Sequence, residues 1–135
     1  MPQFDTVIRN GTLVTAADVF AADLAIVDGR IAAIGTDLPA AVTDIDATGK
    51  LVLPGGVDGH CHLDQPTSDG SVMADDFFTG TRSAVCGGTT TVIPFACQFK
   101  GQSMREVVAD YHRRAEHKAV IDYAFHLIVS DPTSQ

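Results

Sequence analysis

The chain has 135 residues, of which 45% are hydrophobic and 19% are charged, a balance typical of a folded domain rather than a disordered segment. A formal net charge of −8, with no basic cluster larger than Arg113-Arg114, disfavours nucleic acid as a partner. The first residues lack a basic segment followed by an apolar core, and no apolar run approaches the ~20 residues that span a bilayer, so neither a signal peptide nor membrane insertion is expected.

Residues 1–50 are predicted to form a small β subdomain. Two pairs of β-rich segments flank the dipeptides Asn10-Gly11 and Asp28-Gly29, which supply the positive φ angles of tight hairpin turns. The paired segments are 5–9 with 12–15, and 23–27 with 30–34. Two hairpins in so short a stretch indicate an antiparallel β-sandwich subdomain.

After residue 49 strands alternate with helices, a pattern typical of parallel βαβ units and of an α/β fold. Strands are expected at 51–58, 89–95 and 120–129, side by side and parallel. Three strands are too few for a closed (β/α)8 barrel, which has eight strands and roughly 250 residues. We therefore expect residues 51–135 to be the opening third of a truncated TIM barrel, in the first part of a longer protein.

Two helices are predicted between these strands. The first starts at Asp75 or Asp76 as N-cap and ends at the glycine pair 87–88. The second opens with Ser103 and Glu106, which have the spacing of a capping box. Its apolar side has the spacing of a buried helix face and consists of Met104, Val107, Val108, Tyr111 and Ala115.

The segment 58–62, with the sequence Asp-Gly-His-Cys-His, is the main candidate for a functional site. Side chains alternate faces in an extended segment, so His60 and His62 project to the same side. Imidazole is a preferred ligand of Zn²⁺ and similar ions. Two imidazoles at the end of a buried strand therefore predict half of a metal site, and His60 and His62 are the candidate metal ligands.

The neighbours of this pair receive structural interpretations. Asp58 shares the parity of the histidines and is expected to accept a hydrogen bond, whereas Asp64 is assigned to the loop after the strand. Cys61 is expected to point to the opposite face as a small core residue, and His126 is expected to be a core residue of its strand. The chain has three cysteines, Cys61, Cys86 and Cys97, and no CxxC pair. This odd number predicts reduced thiols in a cytoplasmic protein.

Three motifs in order carry a family resemblance. The segment 52–62, VLPGGVDGHCH, resembles the first-strand signature of the amidohydrolase superfamily, in which an HxH pair binds one of two divalent metals. The segment 75–82, DDFFTGTR, followed by GGTTT at 87–91, resembles the dihydropyrimidinase and D-hydantoinase (phenylhydantoinase) branch, and IDYAFH at 121–126 is similar to that branch as well. The resemblance covers essentially the whole chain.

This resemblance implies a metal-dependent hydrolase that opens cyclic amide and imide rings such as dihydropyrimidines and 5-substituted hydantoins. It implies two zinc ions in the full-length protein, with His60 and His62 on one of them, and a homo-oligomer, a tetramer or dimer. The remaining ligands of the family are a carboxylated lysine, two histidines and an aspartate that moves the proton. All of these would lie beyond Gln135, so no catalytic or cofactor-binding residue is assigned within this chain.

Asp64 and the two histidines also bear on other branches of the superfamily. Dihydroorotases typically have an arginine two residues after the second histidine to hold the substrate carboxylate, and Asp64 at that position would repel a carboxylate. Relatives of the collapsin-response-mediator type lack the metal ligands, whereas this chain keeps both. An allantoinase-like cyclic ureide hydrolase and a non-catalytic metal-binding or interaction fragment stay open as alternatives.

Overall fold

A computed structural model describes residues 3–67 and 69–132, and the chain divides into two compact units, Met1–Pro54 and Gly55–Gln135. Within those described ranges, the first unit holds five strands, and the second holds four strands and two helices. Over the same ranges no helix is long and apolar enough to cross a membrane.

The first unit is built on one mixed sheet. Its strands are β1 (Phe4–Val14), β2 (Val19–Val27), β3 (Arg30–Gly35), β4 (Ala41–Asp46) and β5 (Leu51–Val52). The strand order is β3-β2-β1-β4, with β5 also on β1; the pairs β1–β2 and β2–β3 are antiparallel, whereas β4 and β5 lie parallel to β1. The prediction of an antiparallel β-sandwich is therefore corrected to a mixed sheet, because the connections after β3 return the chain in the direction of β1.

The two turn dipeptides have different outcomes. Asp28 and Gly29 adopt φ angles of 49° and 71° between β2 and β3, which confirms that hairpin. The hairpin predicted at residues 10–11 is wrong, because β1 continues through it with a register shift against β2. Asn10 has a φ of 60°, and its amide donates to Asp23 Oδ1 at 3.0 Å, so the dipeptide forms a β-bulge instead of a turn.

The second unit contains a parallel sheet with helices between its strands. Its elements are β6 (Gly56–Cys61), α1 (Phe77–Cys86), β7 (Thr89–Cys97), α2 (Met104–Ala115), β8 (Asp122–Tyr123) and β9 (His126–Ile128). Strand β7 pairs in parallel with β6, β8 and β9, which confirms that the predicted strands are parallel neighbours.

Two strand boundaries differ from the prediction. The strand expected at 51–58 is divided, since residues 51–52 pair with β1 of the first sheet and β6 starts only at Gly56. Pro54 lies in the break and has no amide hydrogen for a ladder. The strand expected at 120–129 is divided into β8 and β9, and the interruption lies near Pro94 of β7, which likewise has no amide hydrogen.

The ends of the helices follow the sequence in one case and depart from it in the other. Asp76 caps α1 by accepting the amides of Phe78 and Thr79 at 3.0 and 2.8 Å, and Thr79 Oγ1 accepts the Asp76 amide in return. At α2 the predicted capping box is wrong, because the Ser103 side chain makes no capping hydrogen bond.

The core between the helices and the sheet consists of Leu63, Phe77, Val92, Ala96, Val107, Tyr111 and Ala115.

Gly55, just before β6, and Gly59, within β6, provide a matched test of the packing between β6 and β7. A Cβ added at Gly55 would overlap three side-chain atoms of Thr90, including the Thr90 Cβ. A Cβ added at Gly59 would meet no atom within 4 Å. We expect Gly55→Ala to lower the free energy of unfolding by about 1–3 kcal/mol, the usual cost of overpacking. Gly59→Ala should change it by less than about 0.5 kcal/mol. Equal effects of the two substitutions in urea denaturation would contradict this packing.

The two N-caps provide a second matched pair. Hydrogen bonds, chiefly from the Thr79 amide, hold the pKa of Asp76 below its ordinary value of 3.8. The stabilisation by this carboxylate is therefore present above that value and is lost as the pH falls below it. We expect Asp76→Ala to lower the urea midpoint at neutral pH and Ser103→Ala to leave it almost unchanged, with the Asp76→Ala difference disappearing in acid. A larger effect at Ser103 would show that the assigned caps are wrong.

Candidate metal site

The two candidate ligands lie where β6 ends. His60 is the penultimate residue of β6 and His62 follows the last one, and both side chains are exposed. Their ring centroids are 5.9 Å apart with an interplanar angle of 70°. The two imidazoles are thus neighbours on one side of the strand, as alternation along an extended chain predicts.

Phe95 of β7 forms the floor beneath both rings. Its ring centroid is 4.6 Å from that of His60 and 5.3 Å from that of His62, and it is stacked with His62 at 19°. A third histidine, His126 of β9, reaches the same ring with a centroid separation of 5.1 Å. His126 is exposed, so the expectation that it is a core residue is wrong; its side of β9 faces Phe95 and not the helices.

The side chain of His62 has a polar partner that the sequence did not reveal. The ring atom Nδ1 of His62 lies 2.5 Å from Oε1 of Gln65. The amide of Gln65 donates in turn to the sulfur of Met73 at 3.2 Å. Gln65 stands in a polar loop of small residues with no periodic pattern, so no sequence signal distinguished it from its neighbours.

The other predicted neighbours occupy the positions expected of them. Asp58 accepts the backbone amide of His60 at 3.0 Å through Oδ1. Cys61 packs against the core behind the sheet, where burial and, after it, the Asp58 charge raise the pKa of its thiol. Asp64 has a φ of 47° in the loop, and its carbonyl oxygen accepts Arg114 at 3.0 Å.

The two histidines do not by themselves form a metal site. Over residues 3–67 and 69–132, no group of three or more histidine, cysteine, aspartate or glutamate side chains is placed to hold a metal ion. Two imidazoles are fewer ligands than the three or four that protein sites for zinc use. Among the described residues, His60 and His62 are therefore two adjacent imidazoles without a third candidate ligand beside them.

Tyr111 of α2 lies against Cys97 at the end of β7. Tyr111 is 1% exposed, and burial raises the pKa of its hydroxyl to about 12. The hydroxyl lies beside the backbone and thiol of Cys97 without reaching hydrogen-bond geometry. Burial likewise raises the pKa of the Cys97 thiol above its ordinary value of 9.0.

The chain was compared with known proteins. No protein-family profile matches it. The D-hydantoinase of Geobacillus stearothermophilus is 50% identical over 127 residues, which cover 93% of this chain and 27% of that protein. The dihydropyrimidinase of Rattus norvegicus is 41% identical over 135 residues, which cover 96% of this chain and 26% of that protein.

Solved structures give the same result. A structure of D-hydantoinase matches with a TM-score of 0.92 and 46% identity, over 96% of this chain and 28% of that one. The crystal structure of dihydropyrimidinase from Brevibacillus agri matches with a TM-score of 0.88 and 52% identity, over 93% of this chain and 27% of that one.

These relatives are hydrolases, and their names confirm the resemblance that the three sequence motifs predict. More particularly, the chain is homologous to the N-terminal portion of D-hydantoinases and dihydropyrimidinases. It spans only 27% of the length of the Geobacillus relative.

The difference in burial between two cysteines predicts their reactivity. Only the thiolate attacks an alkylating reagent, so a raised pKa slows the reaction at any pH below that pKa. Cys86 is exposed at the end of α1, whereas Cys97 is half-buried with a raised pKa. We expect iodoacetamide near neutral pH to modify Cys86 well before Cys97, with Cys97 accelerating as the pH rises. Mass spectrometry of peptides from timed samples measures both rates; preferential labelling of Cys97 would contradict the structure.

Proposed function

We propose that this chain is the N-terminal part of a metal-dependent hydrolase that opens cyclic amide and imide rings. The observation that carries the proposal is the pair His60 and His62 at the end of a parallel strand, in a chain that is 50% identical to a D-hydantoinase over 127 residues. The names of the relatives favour hydantoins and dihydropyrimidines as the substrates. No observation favours allantoinase-like activity or a non-catalytic role.

The fold proposed for the full-length protein is a (β/α)8 barrel preceded by a small β subdomain. The parallel strands β6, β7 and β8–β9, with α1 and α2 between them, have the order expected for the first two βα units and the third strand of such a barrel. Barrel enzymes place their active sites at the C-terminal ends of the strands. His60, His62 and Phe95 all lie toward that end of their strands, which supports this location for the site.

The residues present fit a divalent metal. Two imidazoles lie on one side of the strand end, and imidazole is a ligand that zinc accepts. We propose that His60 and His62 hold one of two zinc ions, with the remaining ligands supplied by later parts of the full-length chain. When bound, such ions lower the pKa of water so that a nucleophile exists near neutral pH and polarise the scissile carbonyl.

The residues of this chain would shape the surroundings of the reaction. The polar segment 65–74 follows soon after the histidines and would border the ring substituent of the substrate. Phe95 would form an apolar floor behind the two imidazoles and help to exclude water from that side. We further propose a cytoplasmic homo-oligomer, which rests on the free cysteines and on the resemblance.

The adjacent residues His60 and Cys61 provide the direct test in the full-length protein. His60 is exposed and contributes little packing, so His60→Ala should leave the protein folded. Loss of a group that merely supports a metal ligand costs 10–100-fold, so loss of a ligand should lower hydrolysis of dihydrouracil and a hydantoin by at least about 100-fold. Metal content should fall in parallel.

Cys61→Ala is the matched control. Its side chain packs against the core, so this change should lower the free energy of unfolding by roughly 1 kcal/mol and leave turnover almost unchanged. Full activity with metal still bound in His60→Ala would refute the assignment. Loss of activity in Cys61→Ala at wild-type stability would show that the two faces of β6 have been exchanged.

A further inference from the structure

Gln65 lies three residues after His62, and its side chain contacts Nδ1 of the His62 ring. A partner at one ring nitrogen affects which nitrogen is free to bind a metal. We propose that Gln65 is a positioning residue that holds His62 in the tautomer with hydrogen on Nδ1 and so presents Nε2 to the metal. This inference rests on the proposed function for its purpose, since it concerns how one of the proposed ligands is oriented.

The chemistry of the contact determines the tautomer. Oε1 of Gln65, a carbonyl oxygen that only accepts, faces His62 Nδ1 at 2.5 Å, and this arrangement assigns the ring hydrogen to Nδ1. A neutral imidazole has one ring hydrogen, so Nε2 then has the free lone pair. A metal binds the nitrogen that lacks a hydrogen, and a partner on the other nitrogen fixes both the tautomer and the ring orientation.

The plane of the ring is restrained as well. The His62 ring is stacked on Phe95 with an interplanar angle of 19° and a centroid separation of 5.3 Å. Gln65 contacts the edge of the ring while Phe95 covers its face. The two contacts together restrict rotation about both side-chain torsions of His62, so the direction of Nε2 is set before any metal arrives.

His60 is held in a different way, which makes the role of Gln65 specific to His62. The ring of His60 meets Phe95 at 61°, edge to face, and the Asp58 carboxylate binds the backbone amide of His60. The hydrogen bond at His60 thus fixes the strand end, whereas the one at His62 fixes the ring. A change at Gln65 is therefore expected to alter the tautomer of His62 and not that of His60.

Gln65 is itself anchored by the loop. The backbone amide of Gln65 donates to the Met73 sulfur, and the residue is partly buried. The preceding residue, Asp64, is held at both ends, since its amide donates to the Asp75 carbonyl at 3.0 Å and its carbonyl accepts Arg114 at 3.0 Å. The backbone of the loop is therefore fixed at the point from which the Gln65 side chain reaches His62.

Three substitutions in the full-length protein separate this role from a simple loop contact. Gln65→Leu keeps the bulk of the side chain and removes the acceptor. Gln65→Glu keeps an acceptor and removes the only donor, so it supports the same tautomer. Gln102→Leu is the control, because Gln102 also accepts a hydrogen bond in the loop after the next strand, from the Phe99 amide at 2.9 Å, and contacts no histidine ring.

The first readout is zinc affinity, measured on chelator-stripped protein by titration with zinc chloride against a competing chelator. We expect Gln65→Leu to weaken binding by 10–100-fold, the usual cost of losing a partner behind a metal ligand. Gln65→Glu and Gln102→Leu should stay within about threefold of the unchanged protein on the same scale. Wild-type affinity in Gln65→Leu would overturn the inference, and so would equal losses in Gln65→Leu and Gln65→Glu.

The second readout needs neither metal nor activity. Imidazole ¹⁵N shifts of metal-free protein report which nitrogen carries the hydrogen, and His62→Ala identifies the His62 signals by their disappearance. We expect hydrogen on Nδ1 in the unchanged protein and in Gln65→Glu, and loss of that preference in Gln65→Leu. An unaltered tautomer in Gln65→Leu would overturn the inference, whereas retention of zinc by His62→Ala would overturn the proposed function and leave the tautomer result to decide the role of Gln65.

Discussion

Parallel pairing along both edges of β7 is the constraint on which the second unit depends. It brings β6 to one edge and β8 and β9 to the other, so three separate chain segments end side by side. Alternation along β7 buries Val92 and Ala96 in the core on the helix side while Phe95 faces the opposite side. The histidines meet around Phe95 because this one strand determines both the position and the facing of its neighbours.

Features that depend on local chemistry could be read from the sequence. The turn at Asp28 needs only a dipeptide that tolerates positive φ, and the start of α1 needs only the Asp76 carboxylate within reach of two amides. The facing of His60 and His62 follows from strand alternation alone. Each of these was predicted correctly because the residues involved are within three positions of one another.

Features decided by distant parts of the chain could not be read in the same way. Asn10 is compatible with a turn or a bulge, and Asp23, far away in sequence, provides the acceptor that selects the bulge. At Ser103 the right residue type stands at the N-cap position, yet its side chain makes no capping hydrogen bond. Gln65 carries no signature, and its contact with His62 depends on how the loop leaves the strand at Asp64.

The bulge at Asn10 also coincides with a break in one edge of the first sheet. It lies between the stretches of β1 that pair with β4 and with β5, and the Asn10 side chain donates to Asp46 at the end of β4. That edge is therefore two short strands separated by the turn at 47–50, which holds Thr48 on the same carboxylate. A long, flat edge would template the addition of a strand from another chain. The edge formed by β4 and β5 offers no such continuous row of amides and carbonyls.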